Sequence, residues 1–365
     1  MNPLDAFDSL EDPRKECLVR YELKSLVFIT IAAVISDCDN YVEIAEFAKY
    51  KRDWITKYVD LPPGKTPSHD IFGDLYSALS PDKFCECFIQ WVTQVSNISE
   101  GELIVIDGKR LRGSYDRYDN KAAIHMVSAW ACENQLVLGQ LKTDDKSNEI
   151  TAIPSLLNLL TLKGAIISID AMGCQKDIAT EIRQKEAHYI LALKGNQSTL
   201  KEQIEGAFDS IIPHSQDEDI DKGHGRIETR KCTVVKDLSF IEESLNWKDL
   251  TSVIKIDARR VETMTGTTTQ ETRFYISSCS HDAKAFNKLI RNHWSIENNL
   301  HWSLDVNYSE DSSRIRKGNA DQNFSIIRRI ALNLIKLEPT RKISQRGKRK
   351  VAGYADTFRE QILKI

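Results

Sequence analysis

Asp107, in the string ELIVIDGKR, and Asp170, in AIISIDAMG, each close a run of apolar, mostly β-branched residues. A run such as Ile104-Val105-Ile106 reads as a strand covered on both faces, and in open α/β sheets function gathers at the carboxyl ends of such strands. Two carboxylates delivered to one sheet edge repel by roughly 4 kcal/mol at about 4 Å and an effective dielectric near 20. A shared site of this kind calls for Mg²⁺ or Mn²⁺, or else for a trapped proton. Taken singly, each aspartate also suits a helix cap or a turn. A third acid, Glu297, lies in the helically spaced stretch 291–302, where a 3.6-residue turn puts His293, Glu297 and His301 on one face. The two histidines have zinc-ligand spacing. They lack the adjacent Glu of H-E-x-x-H and a nearby third ligand, which favours Glu297 as a member of a carboxylate cluster over zinc, with a solvated helix-face acid as the structural alternative. Asp305, Glu310 and Asp311 are alternative third acids.

The elements that must position these residues follow from periodicity. Residues 21–59 have helical spacing with a break at Asp39-Asn40, a loop follows at Leu61-Pro62-Pro63-Gly64, and a helix pair is predicted over 69–97 with its aromatic stripe in the core. Strands are expected at 102–107, 125–131 and 136–142, then a helix at 149–160, a strand at 165–170, a helix at 176–184 and a strand at 189–193. The order β-β-β-α-β-α-β, with acids at the ends of the first and fourth strands, resembles by analogy that of ribonuclease-H-like nuclease folds. After a helix at 197–209, residues 214–280 lose the βα rhythm and read as a β-rich insertion with Thr265-Gly266-Thr267 at a hairpin tip. Helical spacing resumes near Ala283.

The chain has 365 residues, 41% hydrophobic and 28% charged, which fits two or three globular domains. The formal charge of -3 conceals six basic residues within 341–350, so nucleic acid stays open as a partner. Eight cysteines without paired C-x-x-C spacing read as reduced core thiols. The longest apolar run, 26–35, is too short to span a bilayer, and the N-terminus lacks a signal-peptide layout, so a cytoplasmic protein without membrane contact is expected.

Several ordered strings carry a family resemblance: Ile106-Asp107-Gly108-Lys109, Ile169-Asp170-Ala171, Leu193-Lys194-Gly195-Asn196-Gln197, Gly223-His224-Gly225-Arg226 and His293-Trp294-Ser295-Ile296-Glu297-Asn298, with Asp305, Glu310-Asp311 and Arg314 downstream. Together they resemble bacterial H-repeat-associated (Rhs-linked) insertion-sequence transposases of the DDE superfamily, over nearly the whole chain. The resemblance implies a helical N-terminal domain (1–98, a DNA-end or accessory domain), a ribonuclease-H-like catalytic domain (99–340) carrying the β-rich insertion, and a basic C-terminal segment (341–365). It puts Asp107, Asp170 and Glu297 on the catalytic, metal-binding triad. Where many insertion-sequence transposases have Tyr and Arg before this Glu and Lys after it, this chain has Ile290, His293 and Leu304.

Such a triad implies two Mg²⁺ or Mn²⁺ ions and metal-dependent DNA cleavage and strand transfer at element ends. Lys109, Arg110, Arg112, Lys194, Asn196, His224, Arg226, His293 and Arg314 are the expected DNA contacts, solvated loop charges being the alternative for the basic residues around the triad. The segment 341–350 suits either non-specific phosphate contacts or a disordered, solvated tail. Double-stranded DNA, as terminal repeats and target, is the expected partner, bound by a homodimer. A nuclease that never joins strands and an inactive DNA-binding relic are the rival readings.

Overall fold

The computed structural model describes residues 3–115, 122–143, 149–223 and 225–365. Its centre is a nine-stranded mixed sheet in the order β3-β2-β1-β4-β5-β9-β8-β7-β6. β1 (Leu103–Arg110), β2 (His125–Ala131) and β3 (Leu136–Lys142) form an antiparallel meander, while β4 (Ile166–Ile169) and β5 (His188–Leu193) run parallel to β1. The parallel crossovers are made by α6 (Glu149–Leu159) and α7 (Lys176–Gln184), and α8 (Ser198–Ser210) leads away from β5. Strands buried on both faces need such helical cover, and Ile104, Val105, Ile106 and Ile167 are fully enclosed.

The β-rich segment extends the same sheet. β8 (Ser252–Glu262) and β9 (Thr268–Ser277) form a long hairpin with Gly266 in the left-handed region at its tip, and β9 pairs antiparallel with β5. β7 (Arg226–Val235) and β6 (Ser215–Gly223) complete it. β6 has no hydrophobic alternation and lies largely exposed. Charge holds it: Glu218 faces Lys231 and Asp219 faces Arg230 across the ladder, and Asp217 accepts from Asn287 at 2.9 Å.

The N-terminal unit contains α1 (Leu23–Ile35), α2 (Tyr41–Tyr50), the single turn α3 (Arg52–Ile55), α4 (His69–Ala78) and α5 (Pro81–Val95). Asn40, at the predicted break, caps α2 by accepting from the Glu43 N–H, and Ser80 caps α5 ahead of Pro81. After β9 come α9 (Ala283–His293), a π-helical turn (Glu297–His301), α10 (Trp302–Tyr308) and α11 (Ala320–Leu337). On α11, Asn323 donates to Tyr76 and Leu79 carbonyls of the N-terminal unit, while Asn333 exchanges two 2.9 Å bonds with the Val137 backbone. The second pairing covers the open edge of β3.

Residues 341–365 depart from the expected tail. They form α12 (Gln345–Tyr354) and α13 (Asp356–Leu363), packed on α1 and α11. Arg349 is fully buried, donates twice to the Val34 carbonyl and once to Asp39, and lies 4.2 Å from the Tyr308 ring centroid. It thereby adds charged donors to a carbonyl in the last turn of α1, which also accepts from the Asp37 N–H at 3.3 Å. Glu360 accepts from Trp54 at 2.9 Å and from Tyr58 at 2.6 Å. One hydrophobic core runs through the N-terminal helices, the sheet and these last helices. Among the described residues no helix is long and apolar enough to cross a membrane, and all eight cysteines are free.

Candidate metal centre at the strand ends

The register of the parallel pair sets the geometry. Ile106 of β1 pairs with Ile169 of β4, so Asp107 and Asp170 follow at equivalent positions on neighbouring strands. Asp170 also does the cap duty that its sequence allowed: its Oδ1 accepts from the Met172 N–H at 3.0 Å and the Gly173 N–H at 3.4 Å, opening a short 3₁₀ turn. Asn196 buttresses that turn by donating to the Ala171 carbonyl at 2.8 Å.

The third arm comes from the helix after α9. A continuous α-helix would stack His293, Glu297 and His301, but the helix breaks into a turn at Trp294, between the first two, ahead of the π turn that runs from Glu297 to His301. His293 therefore leaves the row and pairs through Nδ1 with Ser168 Oγ of β4 at 2.9 Å. It pins the helix to the sheet, and burial, with Arg273 nearby, lowers its pKa to about 4. Glu297 and His301 stay together over Asp107. His301 Nδ1 lies 3.7 Å from Asp107 Oδ2 and 3.7 Å from Glu297 Oε2, and one ligand atom from each of the three residues fits within 4.8 Å.

The electrostatics are those of a site short of positive charge. Burial pushes the Asp107 carboxyl up to about 7, reinforced by Glu297 and more weakly by Glu149 and Asp170. Asp170 is raised too, by burial and then by Glu149, with Lys194 opposing. His301 is lowered to about 4 by burial and the cations Lys109 and Arg329, so it is a neutral imidazole at pH 7, and its buried Nε2 has no hydrogen-bond partner among the described residues. Carboxylate oxygens with one neutral imidazole make a donor set that fits a divalent cation, Mn²⁺ accepting the nitrogen more readily than Mg²⁺.

The basic residues divide. Lys109 is buried beneath the centre, bonded to Asp305 and within 3.4 Å of Glu310 and 3.9 Å of Asp311. Glu310, in turn, is fully enclosed with Arg329: burial alone would raise it, but Arg329, Lys109 and Arg328 hold it down at about 2. That ion cluster occupies Glu310, so it is no third metal acid. Arg110, Arg112 and Lys194 are exposed around the strand ends. Arg314 instead lines a separate groove with Tyr41 and His69 of the N-terminal unit. Arg226 lines a groove of about 550 Å³ between β7–β9 and the Glu297 helix, with Arg230, Arg273, Asn298 and the half-exposed Trp294, whose ring lies 4.9 Å from the Arg273 guanidinium. His224 lies outside the described residues.

Sequence reasoning weighed His301 only for zinc and did not single out Glu149. The His293-x-x-x-Glu297-x-x-x-His301 spacing did carry the first signal; nothing short of the fold brings Glu149 to this edge.

Comparison with known proteins identifies the family. The family model described as "Transposase DDE domain" matches residues 98–334, well over half of the chain, and one described as "DDE_Tnp_1-associated" matches residues 4–92. The chain is 41% identical, over 99% of its own length and 94% of the relative's, to "Putative transposase YncI" of Escherichia coli O157:H7. It is 39% identical, over 97% and 95%, to "H repeat-associated putative transposase YhhI" of Escherichia coli (strain K12). A piggyBac transposase in a synaptic complex with hairpin DNA, solved by cryo-EM, is similar with TM-score 0.48 at 12% identity, over 99% of this chain and 80% of that one. With a carboxylate pair at adjacent strand ends, a third acid brought in by a late helix and relatives matched almost end to end, this chain belongs to the DDE transposases, among their H-repeat-associated members.

Proposed function

We propose that the protein cleaves DNA at the ends of an insertion sequence and joins the freed ends to target DNA, with Asp107, Asp170 and Glu297 as the metal-binding catalytic acids. The observation that carries the reading is the uncompensated Asp107 carboxylate, buried against Glu297 beside a neutral His301. The meander β1–β3 with parallel β4 and β5, in the order β3-β2-β1-β4-β5, supports a ribonuclease-H-like core, to which β9-β8-β7-β6 are an insertion. Two Mg²⁺ or Mn²⁺ ions held there would supply Lewis-acid stabilisation of the attacking and leaving oxygens in phosphodiester cleavage.

The chain's own residues do the positioning. Asp107 and Asp170 are fixed by strand register, and Asp170 keeps Oδ2 available because the cap uses Oδ1. His293, through Ser168, fixes the helix that presents Glu297. Arg110, Arg112 and Lys194 ring the strand ends and suit phosphates entering the site. Double-stranded DNA, as element ends and target, is the partner in this reading. Two protein copies bring both ends together, and the N-terminal helices, closed by α12 and α13, form an accessory unit beside the core. The DNA is met in the cytoplasm.

The test is cutting and joining on a supercoiled plasmid that carries the element's ends, with Mg²⁺ or Mn²⁺. Asp107→Asn, Asp170→Asn and Glu297→Gln should each lose at least a hundredfold in cleavage while retaining DNA binding. Cutting that ignores the ends, without joined products, would replace this reading by that of a nuclease; binding with no cutting would replace it by that of a relic.

A further inference from the structure

We propose that Glu149, held in place by His125, is a fourth cation-binding carboxylate of the strand-end centre. The inference rests on reading that centre as a cation site. Glu149 opens α6, and its Oε1 pairs with His125 Nε2 at 2.7 Å. His125 begins β2 opposite Arg110, so the pair lies across β1 just beyond Asp107.

Gly108 allows that approach. A Cβ at residue 108 would stand 2.1 Å from Glu149 Oε1 and 2.4 Å from His125 Nε2. The residue following Asp107 thus has bare backbone where the pair closes in, and any side chain there would force the carboxylate aside. Glu149 arrives from α6 and Glu297 from the helix after α9, so acids from two separate elements flank the strand-end pair. The negative charge of Glu149 bears on Asp170 and on Asp107 alike. A carboxylate recruited only to pair with His125 would be costly there, since like charges close together and partly desolvated raise each other's energy.

A second observation points to a ligand at this edge. His301 is more than nine-tenths buried, and its Nδ1 faces Asp107 and Glu297 from 3.7 Å, beyond hydrogen-bond reach. Polar groups in a buried site are ordinarily paired, and a cation held between these carboxylates would take the Nδ1 lone pair, which makes no hydrogen bond among the described residues. Oxygen donors from Asp107, Asp170 and Glu149 suit a hard divalent ion such as Mg²⁺ or Mn²⁺. His125 then acts as a positioning residue, orienting a ligand carboxylate by one hydrogen bond.

The experiment is titration of the full chain with Mn²⁺, following free Mn²⁺ by electron paramagnetic resonance, together with thermal unfolding in EDTA. Wild type is compared with Glu149→Gln, His125→Asn and Asp107→Asn. Glu149→Gln should weaken Mn²⁺ binding at least tenfold or remove one bound ion, with a metal-free Tm equal to or above that of wild type. His125→Asn, which keeps the carboxylate but loosens it, should weaken Mn²⁺ binding to a smaller extent. Mn²⁺ binding equal to wild type in both variants, with a lowered Tm, would overturn the proposal and leave a salt bridge only. If Asp107→Asn abolishes Mn²⁺ binding while Glu149→Gln retains it, Glu149 alone is refuted; if wild type itself binds none, the cation reading of the whole centre falls with it.

Discussion

Replacing Asp107 by Asn should stabilise the metal-free protein, although it removes one of the acids we propose to bind the metal. The carboxyl is moved from its ordinary value of 3.8 up to about 7, by burial first and by Glu297 second. At about 1.4 kcal/mol per pH unit, ionised Asp107 carries roughly 4 kcal/mol of destabilisation, of which we expect about half to survive relaxation of water and side chains around the charge. The sign is fixed by linkage. Between pH 4 and 7 the folded state binds the proton that the unfolded state has released, so wild-type stability falls as the pH rises through this window and levels off above it. Asn neither ionises nor repels Glu297. Urea unfolding in EDTA should therefore give nearly equal stabilities near pH 4 and an advantage of about 2 kcal/mol or more for Asp107→Asn at pH 8. Saturating Mn²⁺ should reverse the order, because ligand binding to the folded state at a hundred times Kd contributes about 2.7 kcal/mol to wild type alone. A variant less stable than wild type at pH 8 in EDTA, or a difference that does not change with pH, would refute the picture of Asp107 as an uncompensated charge.

Glu310→Gln should destabilise the fold by about 3–5 kcal/mol in urea unfolding, because it strands the buried Arg329 and Lys109 without their anion. In wild type the contribution of Glu310 is present above its ordinary pKa of 4.5 and disappears as the pH falls towards 2, which acid unfolding checks. Arg349→Leu should cost a similar amount through the lost bonds to Val34 and Asp39, whereas the exposed neighbour Lys350→Ala should stay within about 0.5 kcal/mol, measured by the same unfolding curves. Trp294→Ala should weaken binding of a single-stranded oligonucleotide by about 1–3 kcal/mol in fluorescence anisotropy if a base stacks in the groove beside Arg273, and leave the Tm within a few degrees.

The parts of this fold that bury apolar faces were legible in the sequence. Ile104 through Ile106 and Ile166 through Ile169 are doubly covered strands, and the acids that follow them reach one edge because parallel pairing puts Ile106 beside Ile169. β6 escaped notice because charges facing β7 and the pairing of Arg291 of α9 with Asp219 and Asp221, not a hydrophobic face, keep Ser215–Gly223 in the sheet. The basic run near the C-terminus reads as a solvated or phosphate-binding tail until Arg349 and Arg359 are seen enclosed by carbonyls, acids and aromatic rings. The burial of Lys109 was likewise not legible, since a lysine two residues after a strand-end acid reads as a phosphate contact and as a buried counter-ion equally well. A period of 3.6 predicted one face for His293, Glu297 and His301; a break at Trp294 sends His293 to Ser168 while Glu297 and His301 stay together across the π turn, and no local sequence rule announces either.

The central claim is that the acids at the strand ends hold a divalent cation together, and iron-directed cleavage of the chain tests it most directly. Fe²⁺ exchanged into the site, with ascorbate and peroxide, generates hydroxyl radicals that cut the backbone within a few ångströms of the metal. The account predicts discrete fragments from breaks near residues 107, 170 and 297, suppressed by excess Mg²⁺ or Mn²⁺ and absent in Asp107→Asn. An unbroken chain, or breaks elsewhere that persist in Asp107→Asn, would contradict it.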